Sequence, residues 1–263
     1  MSKGQKVIKN LAIVFAIFLI MSIIYNLMYG VSFLINNENK DNNLFNLDVN
    51  MNKVINIDIS SSNLIIKKGD LFKAETNNKY ISVKQDSNRL YIKERKHGIF
   101  ENSVKDLIVY IPDDINFDYV YINTDAGKID IDSLKTDNLK FDLGAGKVVV
   151  NNLIVKNDAH IEGGAGTIDI LDGSISNLDL EIGVGALSLT SKLLGDSKIE
   201  CGVGKVDIKL LGKKDEYKFN FSKGLGSMSL NSINIDNDFI YGTGINVIDI
   251  EGGVGAIKVF VDE

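Results

Sequence analysis

The sequence is poor in cysteine, proline and basic charge, and each shortage narrows what the protein can be. Cys201 is the only cysteine, so no disulfide can form within the chain and stability must come from packing and strand pairing. Pro112 is the only proline against 24 glycines, which indicates special backbone turns inside regular structure rather than a disordered tract. The net charge of -6 argues against nucleic acid as a partner, because phosphate backbones attract basic surfaces.

Histidine is also scarce, which bears on catalysis. The sequence predicts that His97 lies in a charged loop and His160 at an outward strand position, and it shows no convergent partners of either for a Ser-His triad or a zinc site. Cys201 falls at an inward strand offset, which predicts a buried, inert thiol. We therefore expect no catalytic residues and no cofactor, and the sequence predicts that the protein is not an enzyme.

The N-terminus carries the clearest targeting signal. Three lysines in the first ten residues precede a run of 25 uncharged residues, enough at 1.5 Å per residue to cross a ~30 Å hydrocarbon core. Because the lysines lie on one side only, the N-terminus is expected inside and the rest outside the cell membrane. A cleaved signal peptide is the alternative. The predicted parts are a cytoplasmic tail at 1–10, a transmembrane helix at 11–35, a polar linker at 36–52 and an extracytoplasmic domain at 53–263.

A short motif recurs through the second half of the chain. A small-hydrophobic-small triplet, mostly Gly-x-Gly, repeats at spacings of about 19–20 residues, with two longer spacings near the C-terminus. Apolar residues alternate at period two on both sides of each triplet, and the alternation slips by one residue across it, as at a bulge or corner. The central residues of the triplets are Ala126, Ala145, Ala165, Val184, Val203, Leu225 and Val254.

This pattern predicts an all-β fold, a parallel β-solenoid of about seven or eight coils. An ordinary β-sandwich is the alternative, but it gives no reason for one triplet to recur at a fixed period. The triplet centres are expected to stack in one column, and Val184 is predicted to face the core. A degraded copy at 55–66 carries serines in place of glycines. The irregular segments 67–118 and 226–254 are predicted to cover the open strand edges at the two ends.

The ordered set of motifs resembles a known family. The segments Ile55–Ile66 and Val109–Asp114, followed by repeated Gly-x-Gly corners, are similar to the bacterial "putative adhesin" β-strand-repeat family. The resemblance covers about residues 50–263. It implies a β-solenoid on a bacterial cell surface, in some cases connected with envelope-stress systems, and it implies no catalytic residues.

One outward column of carboxylates is the candidate site. Asp142, Glu162, Glu181 and Glu200 lie three residues before the centre of four consecutive triplets, and Glu251 has the same place in the last triplet. Stacked coils would bring neighbouring carboxylates to ~4.8 Å. A divalent cation such as calcium would relieve the repulsion, since it prefers oxygen ligands. The alternative is a solvated acidic face, partly neutralised by Lys140, His160 and Lys198 in the next column.

Three functions are compatible with these features. The first is a membrane-anchored, adhesin-like scaffold or binding module that contacts cell-wall polymer or another envelope protein. The second is an accessory of envelope-stress signalling, and the third is a glycan-active enzyme. The third is disfavoured because glycosidases need two carboxylates that converge in a groove, whereas the sequence predicts a ladder along one face.

Overall fold

The computed structural model describes residues 44–95 and 105–262. Strands dominate this part of the chain, and the helix that it contains is one 3-10 turn, Lys214–Glu216. The predicted all-β class is therefore confirmed. Across the described residues no helix is long and apolar enough to cross a membrane. The predicted tail 1–10, the predicted transmembrane segment 11–35 and the first part of the linker lie outside those residues.

The strands form one continuous hydrogen-bonded sheet. In chain order they are β1 Phe45–Leu47, β2 Val54–Ile59, β3 Asn63–Lys68, β4 Lys73–Thr76, β5 Ile81–Gln85, β6 Arg89–Glu94, β7 Asp106–Ile111, β8 Phe117–Ile131, β9 Leu134–Val150, β10 Leu153–Ile170, β11 Gly173–Ser176, β12 Leu178–Leu194, β13 Asp196–Lys213, β14 Tyr217–Ser222, β15 Leu225–Leu230, β16 Ile233–Asn234, β17 Phe239–Tyr241 and β18 Asn246–Asp262.

The long strands stack in parallel at a shift of one repeat. The pairs β8–β9, β9–β10, β10–β12 and β12–β13 are all parallel, so each layer lies on the layer one repeat earlier. Their registers place the triplet centres above one another, which confirms the predicted column. This arrangement is consistent with the predicted solenoid, because stacked coils need parallel neighbours in register. The aligned centres are Ala126, Ala145, Ala165, Val184 and Val203.

The last two repeats depart from sequence order. β13 pairs with β18, which places Val203 beside Val254, and β18 in turn pairs with β15, which places Val254 beside Leu225. The final copy therefore lies between the two copies that precede it in sequence. β18 is one unbroken strand, whereas β14 and β15 are separated at Lys223–Gly224. The unbroken strand takes the inner layer, where it has a partner on both sides, and the broken pair forms the end.

The segments 67–118 and 226–254, predicted to cover the open edges, hold further strands at the two ends of the stack, some of them antiparallel. At the N-terminal end, β2 and β3 lie on β8, and β6 and β7 lie on β2 and β3. The antiparallel strands β5 and β4 then flank β6 and β7, and β1 flanks β4. At the C-terminal end, β17 and β16 pair antiparallel with β14 and β15. Strand edges that could pair with another chain are thereby partly covered.

Apolar side chains on both sides of each triplet fill the interior. Each fully buried side chain contributes about 1.5–3 kcal/mol before the entropy of ordering is subtracted. The alternation inferred from the sequence is the observed one in β9 and β12, where the positions two and four before the centre and three and five after it are buried. In β9 and β12 these residues are Phe141, Leu143, Val148 and Val150, and Leu180, Ile182, Leu187 and Leu189.

The inward orientation predicted for Val184 is wrong. Val184 is only half-buried and lies outside the core, whereas Ile182 before it and Leu187 after it are buried. The physical reason is the slip in alternation at the triplet, which places the central residue at the outer corner between the two inward runs. The same half-buried state recurs at Ala126, Ala145, Ala165, Val203 and Val254.

The last glycine of each triplet is required by the stack. Gly146 has a φ of +148°, and Gly185 has a φ of +149°, a region that residues with a side chain rarely adopt. A Cβ atom built at Gly185 would overlap the carbonyl oxygen of Gly166 in the layer below. The glycine column therefore results from two constraints, backbone conformation and close approach between layers.

Candidate functional site

The predicted acidic ladder exists as an aligned column. Pairing places Asp142 beside Glu162, Glu162 beside Glu181, Glu181 beside Glu200 and Glu200 beside Glu251. Successive layers of a sheet are ~4.8 Å apart, so the five carboxylates follow one line along the stack. We call these five residues the acidic column. Towards the N-terminal end the register continues the column through Asn123 to Asp58.

The neighbouring outward column carries charges that compensate part of the acidic column. Lys140 Nζ lies 3.4 Å from Asp142 Oδ1, and Lys198 forms ion pairs with Glu200 and, at 3.4 Å, with Glu251. The partial neutralisation predicted for Lys140 and Lys198 is therefore observed. The Lys198 pairs are largely exposed to solvent and contribute little to stability, whereas Asp142 in the Lys140 pair is partly buried.

His160 joins two layers of the same face. Its Nε2 lies 2.9 Å from Glu162 Oε1 in its own layer, and its Nδ1 lies 2.9 Å from Asp179 Oδ2 in the next. Burial disfavours the charged imidazolium, but the hydrogen bonds to Glu162 and Asp179 outweigh it and raise the pKa of His160 above its ordinary value. His160 therefore has the outward position that the sequence predicts, but it contacts two carboxylates instead of solvent alone. His97 lies outside the described residues.

Asp142 is the most enclosed carboxylate among the four predicted site residues. The Tyr121 hydroxyl donates a 2.7 Å hydrogen bond to Asp142 Oδ2, while Asp142 Oδ1 is buried without a hydrogen-bond partner. Lys140 is close enough to Oδ1 for an ion pair at 3.4 Å, but its geometry is not that of a hydrogen bond. Burial, together with the Asp142 charge, raises the pKa of Tyr121 to about 12, so its phenol stays protonated and continues to donate.

A groove runs beside the acidic column. It has a volume of about 470 Å³ and follows the corner through the layers of β8, β9, β10 and β12. Four layers at ~4.8 Å give it a length of about 14 Å. Asp142, Glu162 and Glu181 form one wall, the glycines Gly144, Gly164 and Gly183 contribute bare backbone, and Asp125 lies at one end. We call this feature the corner groove.

The chemistry of the corner groove is that of hydrogen-bond acceptance. Ionised carboxylates accept hydrogen bonds from hydroxyl, amide and ammonium groups, and a polyanion would be repelled. Asp142, Glu162 and Glu181 stand in one column on the same wall, so they do not face one another across a bond to be cleaved. Glycosidases instead place two carboxylates on opposite sides of the scissile bond.

A cation at this face remains a prediction. Ligand atoms of Asp142, His160 and Glu162 lie within 4.8 Å of one another, the only such group in the described part of the chain. Both ring nitrogens of His160 already contact carboxylates, so a metal would have to replace those hydrogen bonds. Calcium prefers six to eight oxygen ligands, for which Asp142, Glu162, Glu181 and Glu200 remain the candidates.

Cys201 and Glu94 are both buried, but the sequence predicts this only for Cys201. Cys201 is buried as predicted, and burial raises the pKa of its thiol, which keeps it unreactive. Glu94 belongs to no sequence motif, yet it is almost fully buried at 2% exposure and contacts the serine corner of β2 and β3. A charged residue at an inward strand position was the only available hint.

Stacked parallel layers with covered ends define an all-β protein of repeat construction. The family model described as Toastrack DUF4097 matches residues 35–243, so the chain belongs to the Toastrack DUF4097 family. No curated protein matches the chain.

A solved structure with a TM-score above 0.5 supports the fold. A crystal structure of a "putative adhesin" from Bacteroides fragilis shares 16% identity with a TM-score of 0.58, over 83% of this chain and 98% of that chain. A structure of a "putative adhesin" from Parabacteroides distasonis has 15% identity, the same coverages and a TM-score of 0.45. A structure of a "putative cell adhesion protein" from Clostridium sporogenes has 18% identity, again the same coverages, and a TM-score of 0.40. The family resemblance seen in the sequence is confirmed; at these identities the likeness concerns the fold alone.

Proposed function

We propose that the protein is a non-catalytic binding module that is held at the outer face of the cell membrane by residues 11–35 and engages an envelope polymer through the corner groove. The observation that carries the proposal is the groove itself, in which carboxylates at a ~4.8 Å period stand beside exposed glycine backbone. Carboxylates that repeat at a fixed spacing can bind a polymer whose hydrogen-bond donors also repeat along its chain. The adhesin names of the structural neighbours agree with a surface role.

The charge of the groove restricts the partner. Two like charges at about 4 Å repel by about 1 kcal/mol in water, and several such pairs would oppose an anionic polymer. Hydroxyl-rich or amine-bearing polymers would instead donate hydrogen bonds to Asp142, Glu162 and Glu181. We therefore propose a neutral or cationic cell-wall glycan rather than an anionic wall polymer.

Sedimentation with purified wall material tests the proposal. The full chain in lipid nanodiscs is mixed with insoluble peptidoglycan that has been stripped of its anionic accessory polymers, and the bound fraction is measured. The groove variant carries Asp142→Asn, Glu162→Gln and Glu181→Gln. The control carries Asp70→Asn, Asp114→Asn and Asp215→Asn, which remove the same charge from exposed positions outside the groove.

We expect the parent and the control to sediment with the glycan and the groove variant to remain in solution. Equal sedimentation of the groove variant and the control would show that the corner groove does not bind the polymer. Absence of sedimentation for all three proteins would remove wall glycan as the partner.

A further inference from the structure

The C-terminal end of the stack contains a second cavity, distant in the repeat order from the corner groove. Its volume is about 440 Å³, within the range of about 300–1,000 Å³ typical of small-molecule pockets. It lies where the outermost layer, β14 and β15, meets the antiparallel strands β16 and β17. We call it the end cavity.

Inward-facing apolar side chains form one part of the walls of the end cavity, and polar residues form the rest. Phe239 and Tyr241 pair with the buried residues Phe221 and Phe219, and directly opposed residues of antiparallel strands point to the same face of the sheet. Ile233 is likewise opposed to the buried Leu230. The end cavity is thus a continuation of the apolar interior at a place where no further layer covers it.

Apolar exposure is concentrated at this end. Ile233 is 71% exposed and Phe239 is 45% exposed, although both point to the core side of their strands. Large apolar groups in a concave site that is open to solvent favour an apolar ligand, since each methylene that leaves water contributes about 0.8 kcal/mol. An alkyl chain fits these walls without requiring hydrogen bonds from them.

The charged residues at the opening of the end cavity, its rim, determine which polar head group a ligand can have. Lys223 binds both rim acids, because its Nζ lies 3.7 Å from Asp236 Oδ1 and its backbone amide donates a 3.0 Å hydrogen bond to Asp238 Oδ1. Lys214 also lines the end cavity, with its Nζ 4.7 Å from the centre of the Tyr241 ring. Within residues 44–95 and 105–262 no carboxylate forms an ion pair with Lys214. It is therefore the cation available to an anionic group.

From the apolar walls and the Lys214 ammonium, we propose that the end cavity binds a single-chain anionic amphiphile, a long-chain carboxylate whose alkyl tail lies against Ile233, Ile235, Phe239 and Tyr241. The carboxylate head lies at Lys214, beside the rim. This site is independent of the corner groove and of the envelope polymer proposed for it, because the two cavities share no residue.

Photolabelling locates such a ligand even in the presence of lipid. The full chain in nanodiscs of neutral phosphatidylcholine is irradiated with a dodecanoate that carries a diazirine near the end of its chain, and labelled peptides are identified by mass spectrometry. We expect label in 229–241, with competition by unlabelled dodecanoate and weaker competition by dodecanol. Partition into the bilayer alone would label other peptides.

Four variants separate the tail from the head of the ligand. Ile233→Glu places a charge in the apolar wall and should reduce labelling of 229–241 at least ~tenfold, whereas Ile245→Glu makes the same change at a position that is 89% exposed and outside the cavity. Lys214→Met should reduce labelling about fivefold, and Lys209→Met, on an exposed position of β13, should leave it unchanged. Thermal unfolding of each variant verifies that it is folded.

Several results would overturn the proposal. Equal labelling of Ile233→Glu and Ile245→Glu would exclude the end cavity, and stronger competition by dodecyltrimethylammonium than by dodecanoate would reverse the charge of the ligand. Loss of label when anionic phospholipid replaces the neutral lipid would assign the cavity to a bilayer lipid. A parent dimer that Ile233→Glu dissociates would identify this end as an interface between two copies of the chain.

Discussion

The Glu94 carboxylate lies over the corner of the neighbouring layer and accepts a 3.0 Å hydrogen bond from the backbone amide of Ser61. The same oxygen, Oε2, also accepts from the amides of Ser60 and Ser62, at 2.8 and 3.2 Å. In the inner layers a parallel strand lies on each side of the corner, but β6 ends at Glu94. The side chain thus takes the place of the next layer and satisfies amides that the end of the stack would otherwise leave without acceptors.

Truncation of Glu94 should therefore weaken the N-terminal end of the stack. Glu94→Ala leaves these amides and the side-chain amide of Asn78, which donates to Glu94 Oε1 at 2.9 Å, without their acceptor. We expect a loss of at least about 2 kcal/mol in the free energy of unfolding, measured in urea. Glu94→Gln keeps an acceptor oxygen and should lose less. A change below about 0.5 kcal/mol in Glu94→Ala, the level of an ordinary surface substitution, would contradict the role of Glu94.

The same contacts predict that the free energy of unfolding depends on pH in the acid range. Burial disfavours the charged carboxylate, but the amides of Ser61, Ser60 and Ser62 and the Asn78 side chain outweigh it and hold the pKa of Glu94 below its ordinary value. The folded state therefore favours the ionised form. Its contribution is complete above the unfolded pKa of about 4.3 and is lost as the pH falls through the lower folded pKa. The difference in unfolding free energy between parent and Glu94→Gln should shrink between about pH 5 and pH 3; a constant difference would refute the linkage.

The glycine columns offer a test of close packing between layers. Gly185→Ala requires a side chain at a φ of +149° and an overlap with the carbonyl oxygen of Gly166, so we expect a loss of about 3 kcal/mol or more. Gly163→Ala is the matched control. The one tight contact of a Cβ there is with the Cδ1 atom of Ile168 at 3.0 Å, the far end of a side chain that can move. Thermal unfolding of both variants decides the matter, and equal losses would mean that layer spacing does not explain the glycine column.

Sequence reasoning identified the period and the core but not the surface at the corner. Alternation marks Leu180, Ile182 and Leu187 as inward residues, because side-chain direction in a strand has a fixed period of two. It does not fix which way Val184 points, since the backbone turns between two glycines there. The spatial order of the layers at the C-terminal end could not be predicted from the sequence either. Both β15 and β18 carry the triplet, so either of them could pair with β13. Partners such as Lys198 for Glu251 depend on that order.

The corrected position of Val184 changes the expected effect of a charge at the corner. Val184→Asp places a carboxylate at a half-buried outer position, where water can solvate it, so the loss should stay below about 1 kcal/mol. Ile182 is 2% exposed, and Ile182→Asp would bring an unpaired charge into the core and should unfold the stack locally. Hydrogen exchange of the β12 amides measures both effects. Similar protection in the two variants would show that the central column is as buried as its flanks.

The titration of His160 reports the charges of its two carboxylate neighbours, Glu162 of the acidic column and Asp179 of the neighbouring outward column. Glu162 and Asp179 accept its two ring contacts, and Lys140 lies in the adjacent layer at the same register. The carboxylates outweigh burial and raise its pKa, so the imidazolium stabilises the fold below the unfolded pKa of about 6.5, and this contribution is lost as the pH rises through the higher folded value.

An NMR titration of the His160 ring protons should give a midpoint above about 6.5. Glu162→Gln and Asp179→Asn should each lower that midpoint, because each removes one anionic partner, whereas Lys140→Met should raise it. The His97→Gln variant distinguishes the resonance of His160 from that of the second histidine. A midpoint for His160 that stays fixed across these three variants would mean that the two carboxylates and Lys140 do not interact with the imidazole in solution.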